Sequence, residues 1–220
     1  HEHNVSVSGG TKALNYYVSG GFMNQKGLLK VADDHYNRFN VTAKVNAQIT
    51  KWLDLNYSLR WTRENYERPT YLSGLFFHNI VRRWPTNAIK DPNGYIMPHN
   101  EGLQLMDGGR TSREDDYTNQ QISLIAHPLK GLTVKAENNY NTTTYFTHSE
   151  VFPVYWHDKD GVPVAAKWDD WKQPGHSEVG EQAQKVNYFA GRYFAEYARE
   201  WGKHDFKVVG GLDLEVRKYR

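Results

Sequence analysis

With 220 residues the chain has room for one or two domains, and a formal charge of +2 without any basic run argues against a nucleic-acid partner. It has no cysteine, hence no disulfide framework and no thiolate metal site. Mean hydropathy is −0.78 and no stretch approaches the ~18 apolar residues of a membrane helix, a test that a β-barrel escapes because only alternate residues of its strands meet lipid.

In chain order, Asn4–Ser8 reads as a first strand, with Val5 and Val7 on one face and Ser6 and Ser8 on the other. Gly9-Gly10-Thr11-Lys12 reads as a tight turn, since glycine accepts positive φ. Asn15–Asn24 returns with Tyr16, Val18, Gly20 and Phe22 on its apolar face, and a loop, Gln25–Asp34, leads into the hairpin Tyr36–Tyr66.

That hairpin is the strongest signal. Phe39, Val41, Ala43, Val45, Ala47 and Ile49 alternate with Arg38, Asn40, Thr42, Lys44, Asn46 and Gln48. After a turn at Thr50–Trp52, Leu53, Leu55, Tyr57, Leu59 and Trp61 alternate with Asp54, Asn56, Ser58, Arg60 and Thr62. Each arm therefore presents one apolar and one polar face. A strand in a soluble domain usually runs ~5–6 residues, whereas a tilted transmembrane strand needs ~9–11. These arms fit the second, with Val41, Val45, Leu55 and Leu59 expected to face lipid and Thr42, Lys44, Asn56 and Ser58 the lumen.

A polar segment follows over about 67–114, containing an expected short helix, Leu72–Arg83, stopped by Trp84-Pro85, and a turn at Asp91-Pro92-Asn93-Gly94. The strand pattern resumes over Tyr117–Ala126, turns at Pro128–Gly131 and continues with Leu132, Val134, Ala136 and Tyr140 on one face. A second polar segment, about 148–181, precedes Val186–Arg199, a turn at Trp201–His204, and Phe206–Glu215. The connections thus alternate between tight and long, so all the tight turns fall at one end of the sheet. Outer-membrane barrels keep this asymmetry, with short periplasmic turns and long extracellular loops. Trp52 and Trp201 sit at tight turns, where an interfacial aromatic girdle is expected.

The opening strands also carry a family resemblance. His3-Asn4-Val5-Ser6-Val7-Ser8-Gly9-Gly10, Tyr16-Tyr17-Val18-Ser19-Gly20-Gly21-Phe22 and Asn24-Gln25-Lys26-Gly27-Leu28 resemble the first barrel strands of SusC/RagA-type TonB-dependent outer-membrane transporters. Tyr36-Asn37-Arg38-Phe39-Asn40, Asn46-Ala47 and Thr50-Lys51-Trp52-Leu53 continue the pattern, so the resemblance is detailed over residues 3–62. It implies an all-β fold, an antiparallel transmembrane β-barrel segment of roughly eight strands from a barrel of about 22 around a plugged lumen. The whole of residues 1–220 would belong to that one domain, the family's plug and periplasmic domains lying outside it. The implied function is energy-coupled import of a nutrient across the bacterial outer membrane, an oligosaccharide first and a peptide second. The implied partners are a SusD-like surface lipoprotein, the TonB complex through the plug, the cargo and outer-membrane lipid. A β-rich surface or secreted glycan-binding module without transport is the alternative, and it would not need an unbroken apolar band on successive strands.

Chemical motifs are few, and neither an enzyme nor a cofactor is expected. His1-Glu2-His3 has metal-ligating residue types but no evident supporting shell. Asp158-Lys159-Asp160-Gly161 begins like a calcium loop, but Pro163 stands at its sixth position and Asp169 at its last, so a solvated turn is expected. Asp115-Asp116 and Asp169-Asp170 read as solvated carboxylates rather than an acid/base pair. No nucleophile elbow, P-loop or dinucleotide fingerprint occurs. The loop aromatics Tyr71, Trp84, Tyr95, Tyr155, Trp156, Trp168 and Trp171 are the candidate ligand contacts, able to stack on sugars or on apolar peptide side chains, or else to pack the loops.

Overall fold

The computed structural model describes residues 1–98, 100–166 and 174–220. The strands are β1 (Glu2–Gly10), β2 (Leu14–Lys26), β3 (His35–Thr50), β4 (Leu53–Pro69), β5 (Arg110–Leu129), β6 (Leu132–Val151), β7 (Tyr155–His157), β8 (Pro163–Ala165), β9 (Glu178–Trp201) and β10 (His204–Tyr219), and the helices are α1 (Gly74–Arg82) and α2 (Gly102–Asp107). Eight strands form one antiparallel meander in the order β1-β2-β3-β4-β5-β6-β9-β10, while β7 and β8 make a separate two-stranded ribbon. Because the eight strands of the sheet pair in chain order, the four tight turns share one end of the sheet and the three long connections the other.

Register decides what the two faces are. One row of directly opposed residues runs Val7, Val18, Ala43, Leu59, Gln120, Tyr140, Phe189, Val216. The next row on the same face runs Gly9, Tyr16, Val45, Tyr57, Ile122, Asn138, Gly191, Leu214. Val41, Val45, Leu55 and Leu59 all lie on this face. Its two polar interruptions are met from within, since the Tyr57 hydroxyl reaches Gln120 Oε1 at 3.5 Å and the Tyr193 hydroxyl donates to Asn138 Oδ1 at 2.5 Å. The opposite face is mostly polar, one row reading Asn15, Asn46, Asn56, Ser123, Glu137, Arg192, Asp213.

The apolar band has no core to enter. Val18, Val41, Leu124 and Leu212 are all exposed, and the buried hydrophobic residues lie instead at the ends of strands and in the long connections. A sheet in water would not leave so continuous an apolar surface open; lipid accepts it. The band is also stepped. Gly9 sits beside the first turn, whereas Leu214, in the same row, lies far along β10 from the turn at Gly202. Successive turns therefore slide down the register, as tilted strands of a barrel wall require. This is an antiparallel β-barrel segment.

Two features of the strands differ from expectation. Gly9 and Gly10 belong to β1 with φ outside the left-handed region, and the turn is Thr11–Ala13, closed by the Thr11 N–H to the Leu14 carbonyl at 2.6 Å. Glycine is needed at position 10 for space, because a Cβ there would stand 2.4 Å from the Leu14 carbonyl oxygen. Further, β5, β6 and β9 run 20, 20 and 24 residues, about twice the ~9–11 that cross a membrane. The polar segments are correspondingly shorter, 70–109 and 152–177, and the strands stand well above the apolar band.

Candidate ligand-facing surface

The end of the sheet that carries the long connections is built upward from the strand tips. Thr70 leaves β4 with its N–H on the Gly109 carbonyl at 3.0 Å and its hydroxyl on the Glu150 carbonyl at 2.7 Å. Gly109 has φ +97°, and a Cβ there would lie 2.4 Å from that same Glu150 oxygen, so only glycine passes. Above this clamp Tyr71, Leu72, Phe76, Leu105 and Val151 form a small core, joined by Leu29 and Ala32 from the first long connection. Leu103, Val154 and Ala166 form a second, with Ile96 and Trp156 packed against it. The three connections thus fold into one cap.

Charge pins the cap. Arg83, just beyond α1, donates from Nε to both oxygens of Glu101 at 3.0 Å and from its terminal nitrogen to Oε1 at 2.5 Å. Glu101 is only 5 % exposed, and its hydrogen bonds hold the Arg83 guanidinium above its ordinary pKa. A carboxylate buried to that degree needs such a partner.

The candidate aromatics separate by environment. Tyr71 is buried in the first core, its ring edge-on to Phe76 at 6.3 Å and its hydroxyl accepting from Asn79 at 3.0 Å; it packs the cap and presents nothing to a ligand. Tyr95 stacks on His157 at 3.8 Å and 19°, tying the 70–109 connection to the β7–β8 ribbon. Trp156, half-buried, lies on the ribbon against the second core, while Tyr155 beside it is exposed. Trp84 is 75 % exposed. Trp168 and Trp171 lie outside the described residues, as do Asp169 and Asp170.

The acidic motifs resolve into structural roles. Asp158 Oδ1 accepts from the N–H groups of Asp160 and Val162, both at 2.9 Å, and forms the turn between β7 and β8. Asp115 and Asp116 point to opposite faces of β5. Asp116 takes Arg63 in a two-pronged bond of 2.8 and 2.6 Å on the outer face above the apolar band, and Asp115 takes Arg113 at 2.9 Å on the inner face. Neighbours on a strand cannot meet across one substrate, so they are no acid/base pair. At the opposite end Trp201 is exposed on the outer face, with Phe206 at 6.3 Å between ring centres and Arg199 at 5.0 Å from its ring; Trp52 is exposed at its turn.

Sequence reasoning missed the inner wall of the strand extensions. Arg113, Tyr117, Tyr145, Thr147, Gln182 and Gln184 lie there together, Arg113 in a stretch that reads as loop and the rest at or just beyond the ends of the expected strands. A signal existed in Arg113, Asp115 and Tyr117, which alternate in step with Asn119 and Gln121 further down β5.

No family profile and no curated protein matches the chain. Solved structures do. A chain of the RagAB peptide importer in its open-open state superposes with a TM-score of 0.70 at 20 % identity, over 99 % of this chain and 24 % of that one. The closed-closed state gives 0.66 at 21 % over 96 % and 24 %, and a RagAB peptide transporter structure gives 0.67 at 20 % over 99 % and 25 %. The chain has the fold of a RagAB importer wall. It spans about a quarter of the length of those chains.

Proposed function

We propose that this chain is a wall segment of a TonB-dependent outer-membrane importer of the SusC/RagA type, and that its cargo is short peptides. The observation that carries the proposal is the stepped, largely apolar band across all eight strands, backed by a mostly polar inner face. The RagAB importers that share this fold take up peptides, which moves peptide ahead of oligosaccharide as the cargo. In this reading a SusD-like surface lipoprotein sits over the capped end, and the TonB complex acts from the periplasm through a plug. Trp84, Tyr95, Tyr155 and Trp156 supply aromatic contacts from the cap, and Trp168 and Trp171 remain further candidate ligand contacts. Trp52 and Trp201 mark the periplasmic interface.

The test is uptake by cells. Disrupting the gene of the complete protein abolishes growth on short peptides as sole nitrogen source and spares growth on free amino acids. Restoring it with Trp84→Ala and Tyr155→Ala together lowers peptide uptake about thirty-fold at limiting concentration, from ~1 kcal/mol for each of the two lost aromatic contacts. Undiminished growth on peptides after disruption would count against import of this cargo, and loss of growth on an oligosaccharide would restore the sugar.

A further inference from the structure

In the middle of the sheet the inner face holds a small site that no motif announces. Lys44, Asn46, Gln121 and Ser123, with the pair Lys135 and Glu137, line an open concavity of about 190 Å³. They come from β3, β5 and β6, each of which is paired on both sides, so their neighbours on the wall are complete. The site lies level with the apolar band, Lys44 standing next to Val45 and on the opposite face.

Two of its groups lack partners among the described residues. Ser123 is only 6 % exposed, and its hydroxyl meets no hydrogen-bond partner; a buried hydroxyl left so is costly. Lys44 is exposed, opposed across the sheet by Tyr17 and Ser58 and followed along its own face by Thr42 and Asn46. Of its diagonal neighbours only Arg60 is charged, and that charge is of the same sign.

The nearby carboxylates do not serve Lys44. Glu137 takes Lys135 at 2.6 Å, which cancels both charges. Asp54, about 13 Å down β4 from Ser58, borders a neighbouring concavity with Lys12. The site thus carries one unmatched positive charge beside hydroxyl and amide donors. Water would satisfy the hydroxyl and leave the ammonium without a counter-charge, and a metal cation would be repelled. A single carboxylate answers both groups, its charge meeting Lys44 and its two oxygens accepting from Ser123 and from the amides of Asn46 and Gln121. We infer that this concavity is a carboxylate-binding site on the lumen wall, with Lys44 as counter-charge and Ser123 as buried donor. The carboxylate reaches it from the lumen, carried by a passing peptide or by a segment of the complete importer lying there. The inference rests on the importer reading above, which gives the inner face its lumen.

The experiment treats outer membranes holding the complete protein with a water-soluble carbodiimide, which joins a lysine amine to a touching carboxylate as an amide, and maps the products by mass spectrometry. Lys135–Glu137 is the internal standard for reagent entering the concavity. One arm has no peptide, and the other has labelled Ala-Glu-Glu-Ala in excess. Lys44 couples to a carboxylate of the protein in both arms if a lumen segment occupies the site, and to the label in the second arm if cargo does. Ser123→Ala lowers the yield at Lys44 about ten-fold, the scale of one hydrogen bond to a charged group. It leaves Lys135–Glu137 unchanged, which separates a lost donor from a misfolded wall. Lys44 recovered uncoupled in both arms beside coupled Lys135–Glu137 would overturn the site, as would an undiminished yield in Ser123→Ala. Peptide uptake by the same cells keeps the two readings apart. Uptake without coupling at Lys44 removes the site and leaves import intact, whereas coupling to the protein's own carboxylate without uptake removes peptide import and leaves the site.

Discussion

At the residue scale, the protein's logic is parity. Leu55 and Asn56 are neighbours in β4, yet Leu55 opposes Ala47 and Leu124 in the apolar band and Asn56 opposes Asn46 and Ser123 on the polar face. A lysine at the lipid midplane costs ~2–4 kcal/mol, whereas a lumen position accepts charge. In the complete protein Leu55→Lys should therefore cripple assembly and Asn56→Lys should not, as read by the surface amount and heat-resistant mobility of the barrel. Similar tolerance of both would remove the barrel reading. This parity was fully legible in the sequence for β3 and β4, because lipid on one side and water on the other force alternation. Asp115 and Asp116 read as solvated carboxylates, and that they instead lie in β5, parted to opposite faces and each held by an arginine, was not legible, because the polar stretch before Tyr117 shows no apolar strand period. The burial of Tyr71 was not legible, because an aromatic residue looks the same in sequence whether it packs a cap or faces a ligand.

At the element scale, the strand extensions explain where sequence reading stopped. Over Arg110–Asp116, Asn141–Ser149 and Glu178–Lys185 the chain is in strand but mostly polar or charged on both faces, with only scattered apolar residues such as Phe146 and Val179. Above the membrane both faces meet water, so the alternation that reveals a transmembrane strand disappears, and only pairing to neighbours holds the geometry. The cap has the opposite character. Its elements are short, α2 having six residues and β7 and β8 three each, too short to show a period. They are held by tertiary contacts, of which Arg83–Glu101 is the best connected. Arg83→Ala would leave a 5 % exposed carboxylate without its cation, at a cost of about 1–3 kcal/mol paid within the cap. The expected result is faster proteolytic cleavage in the 70–109 connection with normal barrel assembly. Unchanged cleavage would mean that the two small hydrophobic cores hold the cap without the ion pair.

At the scale of the whole molecule, the sheet is open. β1 and β10 each pair on one side only, and neither face offers a core large enough to fold the chain by burial in water. Lipid gives unpaired N–H and C=O groups no partner, so a membrane wall has to be closed, and an exposed strand edge otherwise recruits another chain. Two long edges, Glu2–Gly10 and His204–Tyr219, together with the exposed apolar band between them, define the behaviour expected of residues 1–220 expressed alone. The product should be recovered as aggregate, dissolve only in denaturant or detergent, and show no cooperative thermal transition in detergent-free buffer. Supplying the remaining strands by co-expression within the complete barrel removes both edges at once and should bring the same residues into the outer membrane in heat-resistant form. A monomeric product that stays dissolved without detergent and unfolds in one cooperative step would require a different destination for the band that runs from Val7 to Val216, and the glycan-binding module without transport would then be the better reading.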